Sequence, residues 1–271
     1  MTHLLVEQHD GIAIVTLNRP EKRNAMSPEM VVRLAAFWDE IARDHATRVI
    51  VVTGAGDKAF SAGGDLGSLI PLMMRTRVPQ GEWEERFAAD RKQLGAALLR
   101  NASFFKPVIA AINGHALAGG AELVVSTDLR VMSSEATIGV TEVRRGLIAS
   151  GGSLARLGRQ VPWAHAMELL LLGEAVTAQQ ALAMGLVNRV VPPHEVMATA
   201  LDLARRVRLG APVALEKTKE AMVRSSGRPL AEAFAIETEC TKENAAMDDA
   251  KEGPRAFMEK RPPVYRGRAP K

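Results

Sequence analysis

The sequence predicts a mixed α/β fold, with a sheet-based core followed by a helical C-terminal region. Two observations carry this. Up to about residue 150, short apolar runs rich in Val and Ile alternate with segments of helical period; beyond it, helical patterns dominate. Hydrophobic residues make up 47% of the 271 residues and aromatics only 4%. That balance suits helices packed on a sheet better than an all-β barrel.

In chain order, residues 4–8 and 12–17 are strand-like runs around Asp10-Gly11, a strong hairpin signal. Ser27-Pro28-Glu29 then opens a helix, with Ser as cap, Pro at the first helical position and an acid in the first turn. Met30, Leu34, Phe37, Trp38 and Ile41 follow its period. Residues 49–53 read as a strand buried on both faces. Residues 54–67 read as a loop, and residues 81–100 as helical. Residues 107–112 form a second buried strand, 114–120 a Gly/Ala turn, and 121–126 a return to helix. Residues 129–132 are a short strand, followed by a loop to Gly152. From Ser153 onward the chain is mostly helical, broken at Pro162, Gly173, Gly185, Pro192-Pro193, Gly210 and Pro229, with 187–191 the one late strand. From Pro262 onward no regular structure is expected.

Composition narrows the setting. Cys240 is the only cysteine, so no intrachain disulfide can form, and a reducing, cytoplasmic location is expected. The N-terminus lacks the pattern of a signal peptide, and no run of eighteen apolar residues exists to span a membrane. The net charge is +4, from 35 basic and 31 acidic residues, without a basic stripe, so neither nucleic acid nor membrane is an expected partner. The basic tail (Lys260, Arg261, Arg266, Arg268, Lys271) could attract an anionic ligand or simply be solvated. No Cys/His cluster has metal-ligand spacing.

The chemistry concentrates in two glycine-rich turns, each following a buried strand: residues 58–66 (KAFSAGGDL) and 113–123 (NGHALAGGAEL). Glycine lets backbone approach a ligand closely, and N–H groups in such turns can point at developing negative charge. Either turn alone could be merely structural. Glu122 lies just inside the second turn among apolar neighbours, which should desolvate it, raise its pKa and suit it to proton transfer. Glu142 follows the next strand and could equally pair with Arg144 or Arg145.

Taken together, the motifs FSAGGDL, NGHALAGGAEL and GVTEVRRGL, with LNRPEKRNAM early and EGPRAFMEKRPPVYRG late, resemble the crotonase, or enoyl-CoA hydratase/isomerase, superfamily over nearly the whole chain. The resemblance implies a spiral of β-β-α units over residues 1–195. It also implies a helical oligomerisation region over 196–271, and homotrimers or homohexamers. It assigns the oxyanion N–H groups to Gly64 and Gly119 and the catalytic carboxylates to Glu122 and Glu142. It puts Lys22, Asn24, Ala25, Ala62, Asp65 and Leu66 against coenzyme A. The implied activity is hydration of a trans-2-enoyl-CoA, a lyase reaction of acyl-CoA metabolism. No separate cofactor is implied, since coenzyme A is part of the substrate.

The sequence also departs from the family pattern. Thr141 stands where many members have Pro, and Ala149-Ser150-Gly151-Gly152 replaces a longer Gly-rich run, which leaves acyl specificity open. His115 could line the pocket or be structural. Leu69, Ile70, Met73 and Met74 could cover the acyl group or pack on the core. A Δ3-Δ2 enoyl-CoA isomerase is the competing activity, but its members commonly keep only the second acid, and Glu122 speaks against it. A non-catalytic acyl-CoA binder would be expected to lack both acids. A dinucleotide enzyme would need G-x-G-x-x-G opening a helix, and Gly54-Ala55-Gly56 does not supply it.

Overall fold

The computed structural model describes residues 2–100 and 103–267. Their first strands are β1 (Leu4–His9), β2 (Ile12–Leu17), β3 (Val49–Gly54) and β4 (Ala59–Ser61). The strands β5 (Val108–Ile112), β6 (His115–Leu117), β7 (Leu129–Ser133), β8 (Thr137–Gly139), β9 (Val176–Thr177) and β10 (Arg189–Val191) follow. They form two sheets, one ordered β1-β2-β3-β5-β7-β10 and a smaller one ordered β4-β6-β8-β9. The β1–β2 hairpin is antiparallel, and the rest of the large sheet is parallel. In the small sheet β4, β6 and β8 run parallel, and β9 is antiparallel to β8.

The two ladders advance together. β3 is followed by β4, β5 by β6 and β7 by β8, so each turn of chain lays one strand in the large sheet and the next in the small one. The result is the spiral that the resemblance implies. Of the small strands, β4, β6 and β8 lie inside segments that the sequence assigns to loops and turns, and β9 lies in the stretch it assigns as mostly helical. With two or three residues each, beside glycines, they are too short to show an alternating pattern.

The first helix, α1 (Pro28–Arg43), starts as its sequence predicts: Ser27 Oγ accepts from the Met30 N–H at 3.1 Å. Next come α2 (Leu69–Met73), α3 (Glu82–Ala89) and α4 (Gln93–Ala97). The helix expected over 81–100 is therefore two pieces. At the break, Asp90 Oδ1 accepts the Lys92 N–H at 3.0 Å, a local bond that competes with helix continuation. α4 docks on α1, where Trp38 Nε1 donates to the Ala97 carbonyl at 3.0 Å. Then follow α5 (Gly119–Val125), α6 (Ser153–Gln160), α7 (Trp163–Leu172), α8 (Ala178–Ala183) and α9 (Val196–Arg208). Last are α10 (Pro212–Ser225), α11 (Leu230–Ala245) and α12 (Asp249–Met258). No helix among the described residues is long and apolar enough to cross a membrane.

Both faces of the large sheet are covered. Ile50, Val52 and Ile112 face the main core with Phe60 of β4 and Met30 of α1. Their alternates Val49, Val51, Ile109 and Val131 face Val196, Ala200, Leu203 and Ala204 of α9. Period-two alternation thus buries a strand completely. The last strand ends at Val191, and helix α9, beyond it, serves as the outer cover of the sheet.

Of the basic tail, Arg261 is tied to Glu252 at 2.6 Å, and the backbone of Arg266 donates to Asp249. Arg268 and Lys271 lie outside the described residues.

The spiral is drawn tight where α5 meets β4. A Cβ placed on Gly120 would sit 2.4 Å from the Ser61 carbonyl oxygen, closer than atoms can pack. Gly120→Ala should therefore cost about 1–3 kcal/mol of stability, read as a lower denaturant midpoint at unchanged slope. A wild-type midpoint would show that the contact relaxes freely.

Candidate active site

Three strands of the small sheet deliver the site. β4 ends at Ser61, just before Gly63-Gly64; β6 ends at Leu117, before Ala118-Gly119; β8 ends at Gly139, before Glu142. Because the three run parallel, their C-terminal ends open on the same edge, the edge at which parallel sheets bind ligands.

The backbone at this edge holds two N–H groups in reserve. A one-residue bridge joins Met26 to Gly64: Met26 N–H donates to Gly63 O at 2.7 Å and Asp65 N–H donates to Met26 O at 3.0 Å. The bridge uses the groups on either side of Gly64 and leaves its own N–H over. Gly119 is the first residue of α5, so its N–H has no helical acceptor. Among the described residues neither donates to the protein. The preceding Ala118 has φ 49° and ψ −126°, a strained conformation held by its N–H on the Gly139 carbonyl at 2.9 Å. Gly63 admits this turn: a Cβ there would lie 2.7 Å from Ala118 Cβ and 3.0 Å from the Gly119 nitrogen. A Cβ on Gly119 would lie 3.7 Å from the Gly64 nitrogen, so the two donors are neighbours.

Beside them stand the two carboxylates. Glu122, one turn into α5, is only 4% exposed. Its Oε1 accepts from Gly151 N–H at 2.8 Å, Ser153 Oγ at 2.8 Å and Ser153 N–H at 3.4 Å. Burial raises its pKa, and those donors oppose the rise without cancelling it. Glu142 is half-buried at the start of a 3-10 turn, and its Oε2 is buried with no hydrogen-bond partner. Burial first, and then the charge of Glu122, push its pKa up to about 7. The pair is therefore unequally bonded: Glu122 is held as an acceptor by three donors, while Oε2 of Glu142 has none, and burial raises the pKa of both.

Both acids and both glycines line one cavity of about 780 Å³, as do Lys22, Ala25, Ala62, Asp65 and Leu66. Asn24 does not reach it. This residue is fully buried and ties its own loop: its side chain accepts from Arg19 N–H and donates to the carbonyls of Ala55 and Ala59. Its side chain is thus spent on the loop and not presented to the cavity. The Asp65 carboxylate is likewise occupied. Burial would raise its pKa, but Arg19 at 2.9 Å and the N–H groups of Gly67 and Ser68 outweigh that and hold it low. His115 bonds Thr137 away from the cavity, whereas Leu69, Ile70, Met73 and Met74 all line it. Glu142 pairs with neither neighbouring arginine.

Ser153 and Gly151, the anchors of Glu122, lie 31 and 29 residues away in sequence, and no local pattern points to them. Arg130, wholly inside, is a further hidden support. Its guanidinium donates to the carbonyls of Val125 and Thr127 and to Gln160, fixing the C-terminal end of the helix whose other end carries Gly119.

A two-ladder spiral whose parallel turns converge on one cavity is the crotonase fold. The sequence profile described as enoyl-CoA hydratase/isomerase matches residues 7–268. The chain is 39% identical over 264 residues to an enoyl-CoA hydratase of Mycobacterium tuberculosis, covering 97% of this chain and 96% of that one. It is 35% identical over 262 residues to a short-chain-enoyl-CoA hydratase of Clostridium acetobutylicum, covering 96% of each. Among solved structures, it matches an enoyl-CoA hydratase from Bacillus anthracis at TM-score 0.87 and 32% identity, over 98% of this chain and 100% of that one. The chain belongs to the enoyl-CoA hydratase/isomerase family.

The raised pKa of Glu142 has a consequence for stability. Unfolded, the group titrates in the ordinary carboxylate range, so the folded state favours its neutral form. That contribution is full below about pH 4.3 and is lost as pH rises through about 7. Glu142→Gln, neutral throughout, should therefore gain stability relative to the parent as pH rises from about 5 to about 8. Thermal melts of both proteins across that range check it; a difference independent of pH would contradict the assignment.

Proposed function

We propose that the protein is an enoyl-CoA hydratase, adding water across the double bond of a trans-2-enoyl-CoA to give a 3-hydroxyacyl-CoA. The observation that carries this reading is the meeting, on one cavity wall, of two unpartnered N–H groups and two buried carboxylates with unequal hydrogen bonding. The relatives described above support it. The N–H groups of Gly64 and Gly119 accept the thioester oxygen and stabilise the enolate that develops there. Glu122, held as an acceptor, takes a proton from water as the oxygen attacks C3. Glu142, whose pKa is pushed up to about 7, delivers a proton to C2, and the carboxylates return to their starting states by exchange with water. Lys22, beside Ala25, Ala62 and Leu66 on the rim, suits the phosphates and pantetheine of coenzyme A. The chemistry calls for no separate cofactor, and a cytoplasmic setting fits the single cysteine.

Glu122→Gln and Glu142→Gln keep shape and remove the proton acceptor. Each should lower hydration of crotonyl-CoA by about two to four orders of magnitude, followed as loss of conjugated-thioester absorbance. A Glu122→Gln protein hydrating at full rate, and favouring a 3-enoyl-CoA, would replace the hydratase reading with an isomerase.

We also propose assembly as a homotrimer or a pair of trimers through the C-terminal helices. Only Cys240 of α11 is buried in the single chain, while Leu230 and Phe234 of that helix and Phe257 and Met258 of α12 are each at least 60% exposed. So much outward apolar surface suits burial against further copies. Light scattering at micromolar concentration should give a multiple of three chains; a stable monomer would refute it.

A further inference from the structure

The Arg144-Arg145 pair beside the active-site loop is split by the fold. Arg144 turns away: its Nε donates to the Leu172 carbonyl at 2.7 Å, and its guanidinium pairs with Glu174. Arg145 turns to the cavity and lines it together with Gly146, Leu147 and Ile148. Its Nη1 donates to the carbonyl and the hydroxyl of Thr141, both at 3.2 Å. Among the described residues it forms no ion pair, and its Nε and Nη2 have no protein acceptor, so one edge of a five-donor fork is unspent.

Strand order says which part of a ligand would meet it. β4, β6 and β8 are successive neighbours, and adjacent strands lie roughly 4.8 Å apart. Lys22 and Arg23 belong to the β4 side, because the Met26–Gly64 bridge ties their loop to the turn after β4. Gly119 follows β6, and Arg145 follows β8. A thioester oxygen between Gly64 and Gly119, with its coenzyme on the Lys22 wall, sends the acyl group toward β8. Arg145 then stands beyond the carbonyl, past Glu142, on the acyl side.

Arg145 is exposed at a cavity whose lining also includes the apolar side chains of Leu147, Ile148, Met73, Met74 and Leu98. A plain alkyl tail filling that space would offer no acceptor to the donors of Arg145 that the protein leaves unspent. A terminal carboxylate would take two of its donors in fork geometry. It would also have its repulsion from Glu122 and Glu142 offset by the same cation. We propose that Arg145 is a specificity-determining residue that pairs with a second carboxylate at the far end of the acyl chain. The substrate class is then the mono-coenzyme A thioester of an α,β-unsaturated dicarboxylic acid. This rests on the acyl-CoA reading of the cavity given above.

Calorimetric titration with saturated thioesters tests the pairing without turnover. Succinyl-, glutaryl- and adipyl-CoA are each compared with the neutral chain of equal length: butyryl-, pentanoyl- and hexanoyl-CoA. For at least one length the dicarboxylate should bind about tenfold tighter or more, the scale of a charge-assisted bidentate contact. Arg145→Leu should reduce that ratio to about twofold or less. Arg145→Lys, a point charge without the fork, should fall between. The proposal is overturned if no length shows a preference. It is equally overturned if the ratio survives Arg145→Leu, as it would if the side chain met the coenzyme and weakened both classes alike. The underlying reading fails separately: if none of the six thioesters binds and crotonyl-CoA is not hydrated, both ideas fall. Binding without preference removes only the role of Arg145.

Discussion

The site depends on one close approach of backbone to backbone, the turn after β4 pressed against the turn after β6. A Cβ added to Gly63 would lie 2.7 Å from the Cβ of Ala118, so the approach requires glycine at this position. Everything catalytic hangs from that contact. It holds the Gly64 and Gly119 nitrogens together, imposes a left-handed torsion on Ala118, and starts α5 at the angle that carries Glu122 inward. The hydrogen bond from Ala118 to Gly139 then extends the constraint to the third turn, where Glu142 resides. Such strain persists only where surrounding structure over-determines it. Here Arg130 at one end of α5 and the Ser61 carbonyl beneath Gly120 supply that surplus.

The two acids show how position, not residue type, divides labour. Both are glutamates and both are drawn out of water, which favours the neutral form of each. What separates them is hydrogen bonding. Three donors converge on one oxygen of Glu122, and none reaches Oε2 of Glu142. Since Glu142 also feels the charge of Glu122, any loss of the donors at Ser153 or Gly151 would be felt at both groups, and the titration belongs to the pair.

Long-period features were legible in the sequence. The β1–β2 hairpin, the Ser27 cap, the doubly buried β3 and β5 and the change to a mostly helical chain after about residue 150 all leave patterns of several residues. The small sheet does not, because β4, β6, β8 and β9 are too short for alternation to appear; the glycines around the first three read as turns, and β9 is lost in a stretch that reads as helical. That sheet nonetheless aims the site, so the sequence offers the site residues through their motifs but not the surface that unites them. Asn24 illustrates the limit. Its place in a motif identifies it as important, yet only the fold shows that its side chain braces carbonyls inside the loop. Ser153 is the reverse, a first neighbour of Glu122 that no local spacing announces.

The outer cover of the large sheet has a consequence during synthesis. Ile12, Val49, Val51, Ile109 and Val131 emerge from the ribosome long before Val196–Arg208, the segment that hides them. Each parallel pairing in the large sheet also waits for a strand about 20 to 60 residues further on, so assembly depends on non-local contacts. For most of that time the nascent chain carries a flat apolar face with no partner in cis. The protein is therefore most exposed to aggregation not at its ends but while it is about two-thirds made. Slowing translation just upstream of α9 would lengthen that interval, and a chaperone that shields extended apolar surface would act on this stage.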